Sequence, residues 1–325
     1  MISRRKFGAL AAVTLAMPFI RPARATHRLR LGITLTATGH YGSAARTLAE
    51  AVGTGTHGRV QVEIFYDAAL GSEEAMLAAT RAGTLDLTIV ASGLLGLYAP
   101  EVGLLDLPFL FRDAAHARSM LDGPVGQEYA EAAATKGVPV LAWAENGMRN
   151  LTANRPIRNA ADLKGLKLRI MPAPLLVEAF RAMGADASPL SIQLVYEALR
   201  VGKFDAQENP IPIILASHFY EVQTHLMMTA HTYSAACIVA SPDLLEDLSS
   251  ADRQVLANAA QAGAAQSRNF LDAAEANGIV RLGELGMTVV TDVDRASFMR
   301  AAAPAEAAMA QRFGAGRIAR LRGQA

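Results

Sequence analysis

The chain has 325 residues, 51% of them hydrophobic, with 31 basic against 30 acidic side chains and a formal net charge of +1. That balance excludes the strongly basic surface on which nucleic-acid binding depends. The single cysteine, Cys237, lies in the apolar run AACIVA, so no intrachain disulfide can form and a buried, inert thiol is expected.

The chain opens MISRRKFGALAAVTLAMPFIRPARA, with a charged start, an apolar stretch from about Ala9 to Ile20, and small residues at Ala23 and Ala25. This is the pattern of a signal peptide over residues 1–25. Ser3, Arg4, Arg5 and Phe7 form a twin-arginine motif, with a chance arginine pair in a Sec-type signal as the plainer reading. The apolar stretch falls short of the ~20 residues that span a bilayer and is broken by Pro18, so removal rather than anchoring is expected. The remainder, roughly 300 residues, suits two domains.

The mature part begins with period-two alternation. In RLRLGIT, Leu29, Leu31 and Ile33 alternate with Arg28, Arg30 and Gly32, which predicts a strand. A helix follows through YGSAARTLAEAV to Gly53, then a strand in RVQVEIF, then a helix from the N-cap Ser72 to Gly83. The nearly continuous apolar run LDLTIVA predicts a strand covered on both faces. Strand, helix, strand, helix, strand implies an α/β lobe with a largely parallel sheet. The same grammar returns in LKLRI, in a helix from about Ala173 to Met183, and in a second from about Gln193 to Gly202. From Ser250 a helical pattern of about 27 residues runs to Gly278, roughly 40 Å, long enough to brace both lobes, with Gly263 as a possible bend.

In open α/β sheets, ligands bind beyond the carboxyl ends of the strands. Gln207, Glu208 and Asn209 end the strand in FDAQE before Pro210 starts a helix, so Asn209 is placed either to meet a ligand or to cap that helix. Arg169 lies near the end of LKLRIMP, where its fork could match a carboxylate or form a surface ion pair. Ser92 and Gly93 follow the strand LTIVA and fall at the ligand by the same argument. Trp143, near the end of VLAWAE, either walls the cleft or packs in the core. Tyr196 presents the same choice, and His231 reads better as a structural histidine.

Enzyme and cofactor signatures are absent. GTGTHG matches G-x-G-x-x-G but follows a helix and precedes a strand, the reverse of a dinucleotide site. There is no HExxH, no CxxC and no G-x-S-x-G, so neither a metal nor a cofactor is expected and the chain is read as a non-enzyme.

The runs LLDLPFLFRD, GMRNLT, ADLKGLKLRIMP and VYEALRVGKFDAQENP, in this order after an export signal, resemble the solute-binding proteins of tripartite ATP-independent periplasmic (TRAP) transporters, the DctP family. Where that family has Asp-Gly-Gln-Glu-Asn-Pro, this chain has Ala206 in place of the glycine. The resemblance implies a periplasmic, two-lobed α/β binding protein, a monomer, that closes on a small organic anion and delivers it to a membrane permease. By the same resemblance Arg169 is the selectivity arginine, Arg149 a second cationic contact and Asn209 a hydrogen-bonding partner of the acid. Glu73 and Glu74, in a first helical turn where carboxylates favour the helix N-terminus, become candidate cleft residues. The implied division is discontinuous, residues 26–145 plus 235–275 in one lobe and 146–234 plus 276–325 in the other. A sensor partner of a membrane receptor would carry the same fold and ligand residues.

Overall fold

The computed structural model describes residues 27–323, so the signal peptide expected over residues 1–25 lies outside the described residues. The first half is built as the alternation predicts. Strand β1 (His27–Gly32) buries Leu29 and Leu31 and exposes Arg28 and Arg30. It is followed by α1 (His40–Gly55), β2 (Val60–Phe65), α2 (Glu73–Arg81) and β3 (Leu87–Ala91). Ser72 caps α2 by accepting from the Ala75 amide, and every residue of β3 is buried. Two 3-10 segments, Ser92–Leu97 and Pro100–Asp106, lead through α3 (Ala114–Leu121) and α4 (Pro124–Ala134) to the long strand β4 (Val140–Ala153).

The second half repeats the plan with β5 (Lys167–Ile170), α5 (Pro174–Ala182), β6 (Asp186–Pro189), α6 (Val195–Arg200), β7 (Ala206–Pro210) and α7 (Ile211–Ala216). The chain then enters β8 (His225–Ala240), the longest strand, and ends in α8 (Pro242–Asp247), α9 (Ser250–Glu284), β9 (Thr288–Val290), α10 (Arg295–Phe313) and α11 (Ala315–Leu321).

The strands form one sheet in the order β2-β1-β3-β8-β4-β7-β5-β6, with β9 beside β8. Strands β1 to β3 are parallel to one another, as are β5 to β7, but the central pairs β3/β8, β8/β4 and β4/β7 are antiparallel. The two parallel sets therefore run toward each other. Ala91 at the end of β3 pairs with Ala236, which pairs with Ala144, and Pro210 at the end of β7 pairs with Arg149, so both sets of carboxyl ends converge on residues 144–149 of β4. The β4/β8 register shifts there, between Glu145 and Gly147. Gly147 holds φ +114°, and a Cβ would meet the Pro210 ring at 3.1 Å, so a larger residue would strain this bulge.

Helix α9 packs on α1 and β4 of the first half and on α7 and β9 of the second, and thus braces both. It is longer than its sequence pattern suggests, 35 residues, capped by Ser249 rather than Ser250 and continuing through Gly278. Gly263 marks a close approach, since a Cβ there would stand 2.8 Å from the Ala44 carbonyl oxygen. Among the described residues no helix is long and apolar enough to cross a membrane.

Candidate ligand-binding cleft

A cavity lies where the strand ends converge. Thr34, Glu73, Glu74 and Ala91 line it from the first half, Asn146 and Arg149 from the centre, and Arg169, Met171, Ser191 and Asn209 from the second. Four of the seven predicted site residues, Arg149, Arg169, Asn209 and Glu73, are thereby brought together.

The two arginines are not equivalent. Arg149 is 1% exposed and its guanidinium grips the Glu208 carboxylate from Nε and Nη2, with further donation from Nη2 to the Glu208 carbonyl at 2.7 Å and to Asn209 Oδ1 at 3.1 Å. Burial pushes the Glu208 carboxyl up, but Arg149, with help from His231, outweighs this and holds it down at about 2. The charge of Arg149 is thus spent inside the protein. Arg169 is equally buried, yet its Nε reaches only the Leu190 carbonyl, at 2.7 Å, and its Nη1 is unpartnered among the described residues. Burial lowers its pKa to about 10. A buried cation without a counterion is unfavourable, and an anion entering the cavity would relieve it.

The neighbouring groups supply hydrogen-bonding capacity. Glu73 accepts from Thr34 Oγ1 at 3.1 Å and from the Ala91 amide at 3.3 Å, and burial pushes its pKa up to about 7. Asn209 does not cap α7; Pro210 is the cap residue, and Asn209 Nδ2 donates to Gln207 Oε1 at 2.5 Å. His40, 1% exposed and driven down to about 4 by burial, holds Asn146 at 3.1 Å.

Three predicted residues stand elsewhere. Ser92 and Gly93 sit behind the cavity wall: Ser92 donates to Asp106 Oδ1 at 3.2 Å, and a Cβ on Gly93 would come 2.1 Å from Asp106 Oδ2 and 3.0 Å from Met171, which lines the cavity. Trp143 is not at the cavity; its indole donates to the Gly126 carbonyl at 3.0 Å and its ring lies in the core. Tyr196 borders a separate hollow and donates to Glu221, while His231 is buried against Glu208. Sequence reasoning passed over Thr34, although the strand-end argument applied to Ser92 points equally to the end of β1. It also passed over Asn146 and Ser191, which carry no comparable signal.

Two groups around the cavity give direct tests. Ser191 Oγ donates to Glu74 Oε1 at 2.6 Å and so ties the loop after β6 to α2 across the two halves. If ligand binding needs this closed arrangement, Ser191→Ala should weaken it about tenfold, the value of one hydrogen bond to a charged group at ~1.5 kcal/mol; an unchanged Kd by calorimetry would contradict it. Asp106 is fully buried, and desolvation raises its pKa to about 7 against the partial opposition of Arg149 and Ser92. Its carboxyl keeps its proton in the folded state where an unfolded aspartate, near 4, has lost it. Stability from this group is therefore present below about pH 4 and is lost as pH rises toward 7. Denaturant unfolding should show Asp106→Asn gaining on the parent from pH 5 to pH 8; a difference that ignores pH would exclude this titration.

Comparison with known proteins bears on the whole chain. The family described as bacterial extracellular solute-binding protein, family 7 (DctP), matches residues 31–312. The chain belongs to this family. A solute-binding protein of Verminephrobacter eiseniae (strain EF01-2) is 40% identical over 92% of this chain and 90% of its own. The 2,3-diketo-L-gulonate-binding periplasmic protein YiaO of Escherichia coli (strain K12) is 36% identical over 86% of each. Among solved structures, a TRAP periplasmic solute-binding protein from Polaromonas sp. JS666, bound to D-erythronate, superposes with a TM-score of 0.89 at 41% identity, over 91% of this chain and 98% of that one. This DctP-family chain is accordingly a TRAP-type solute-binding protein with the two-lobed α/β architecture of its neighbours.

Proposed function

We propose that this protein is the periplasmic receptor of a TRAP transporter and binds a small hydroxylated acid carrying a single carboxylate. The observation that carries the reading is the unequal pairing of the two arginines that line the cavity. Arg149 is already neutralised by Glu208, so Arg169 is the one buried guanidinium there left without an acidic partner among the described residues. One uncompensated cation calls for one carboxylate. Glu73, Asn209 and Asn146 offer acceptors and donors for hydroxyl groups, and Glu73 and Glu74 would repel a second carboxylate. The acids in the similar proteins, D-erythronate and 2,3-diketo-L-gulonate, fit that description.

The halves meeting at residues 144–149 would act as lobes that move about β4 and β8, with the division falling near residues 145/146 and 234/235 as the family implies. Closure excludes water from the acid and presents a changed surface to the permease. A thermal-shift panel of hydroxylated monoacids, dicarboxylates, keto acids and amino acids tests the reading. A ligand that binds only the folded state at a hundredfold excess over Kd adds ~2.7 kcal/mol of stability. A shift confined to hydroxylated monoacids supports the proposal, and a shift given only by dicarboxylates or amino acids overturns it.

A further inference from the structure

The cavity is polar at its deep end and apolar at its rim. Arg149, Arg169 and Asn209 are at most 3% exposed, whereas Leu35, on the loop after β1, and Ile192 are half-buried, and the buried Ile213 completes the aliphatic lining. Leu35 also lines two flanking hollows. One reaches Phe270 of α9 and shares Ile213; the other reaches Tyr196 and shares Thr34 and Ile192. Leu35 is thus the residue common to the ligand cavity and both hollows, whereas Thr34, Ile192 and Ile213 each border the cavity and one of them.

We infer that Leu35 forms the end wall of the cavity and limits the length of the acid the protein accepts, an inference that rests on the hydroxylated-acid reading above. With the carboxylate held at Arg169, each added carbon pushes the far end of the ligand toward the rim. A hydroxyl pressed against Leu35, Ile192 and Ile213 loses its water without gaining a hydrogen-bonding partner. Truncating Leu35 would open the wall into the flanking hollows, which Thr36, Thr38, Gln193 and Ser217 line in part.

Titration calorimetry with straight-chain aldonates of four, five and six carbons, on the protein and on Leu35→Ala, tests the inference. The parent should bind the four-carbon acid at least tenfold more tightly than the six-carbon acid, and Leu35→Ala should shrink that ratio at least tenfold. Leu35→Phe should steepen it. Loss of apolar contact on closure would weaken all three acids alike and leave the ratio untouched, so an unchanged ratio overturns the inference, as does a parent that prefers six carbons. A parent that binds none of the three removes the hydroxylated-acid reading and this inference with it, whereas a parent that binds them with an unchanged ratio in both variants removes only the role of Leu35.

Discussion

Arg169→Met should weaken binding of the acid by at least tenfold while leaving the empty protein at least as stable as the parent. The guanidinium is buried, has an unpartnered Nη1 and forms no ion pair among the described residues, so its desolvation is only partly offset by the more distant Glu208, Glu73 and Glu74. Methionine fills similar apolar volume without that charge, and such replacements of buried ions are often neutral or stabilising. The ligand, by contrast, loses its only free cationic partner. The loss should be about 2–5 kcal/mol, roughly 30- to several thousandfold in Kd. Calorimetry and denaturant unfolding on the same variant separate the two effects. Retained affinity would remove Arg169 from the site, and a large loss of stability would show that its bond to the Leu190 carbonyl holds the fold.

Glu208→Ala should act in the opposite way, chiefly on stability. Glu208 is 0% exposed and partners both Arg149 and His231. Removing it leaves the equally buried Arg149 without its counterion, which costs about 3–5 kcal/mol. The urea midpoint should fall accordingly, and a loss below about 1 kcal/mol would mean that Arg149 finds another partner. In the milder Glu208→Gln variant Arg149 stays hydrogen-bonded but is no longer neutralised. Its charge then adds to that of Arg169 at the cavity, and affinity should shift toward acids with two carboxylates. Arg149 differs from the equally buried Arg169 in that its charge is already matched.

Much of this arrangement was open to sequence reasoning. Period-two alternation in RLRLGIT and RVQVEIF, the continuous apolar run in LDLTIVA and the caps at Ser72 and Gly83 are local signals, and the structure forms strands and helices at each. The strand-end argument pointed to Arg169 and Asn209, which line the cavity, because a strand's carboxyl end is where side chains leave the sheet. It carried Ser92 and Gly93 only as far as the back of the wall, because the chain turns into a 3-10 segment directly after β3.

By itself, then, the sequence determined the α/β alternation, the two repeated halves, an arginine at a strand end suited to an anion, and a resemblance that the comparisons bear out. Only the tertiary structure decided which arginine is free. Arg149 and Glu208 stand 59 residues apart and meet because β4 and β7 pair antiparallel, and no periodicity in a chain records the pairing of two distant strands. The same holds for the bond between Ser191 and Glu74, 117 residues apart, and for the burial of Trp143 against Gly126. Hydrophobic spacing reports which face of an element is covered, but whether a charge is compensated depends on Coulomb and desolvation energies, which are set by distances that only the folded chain creates.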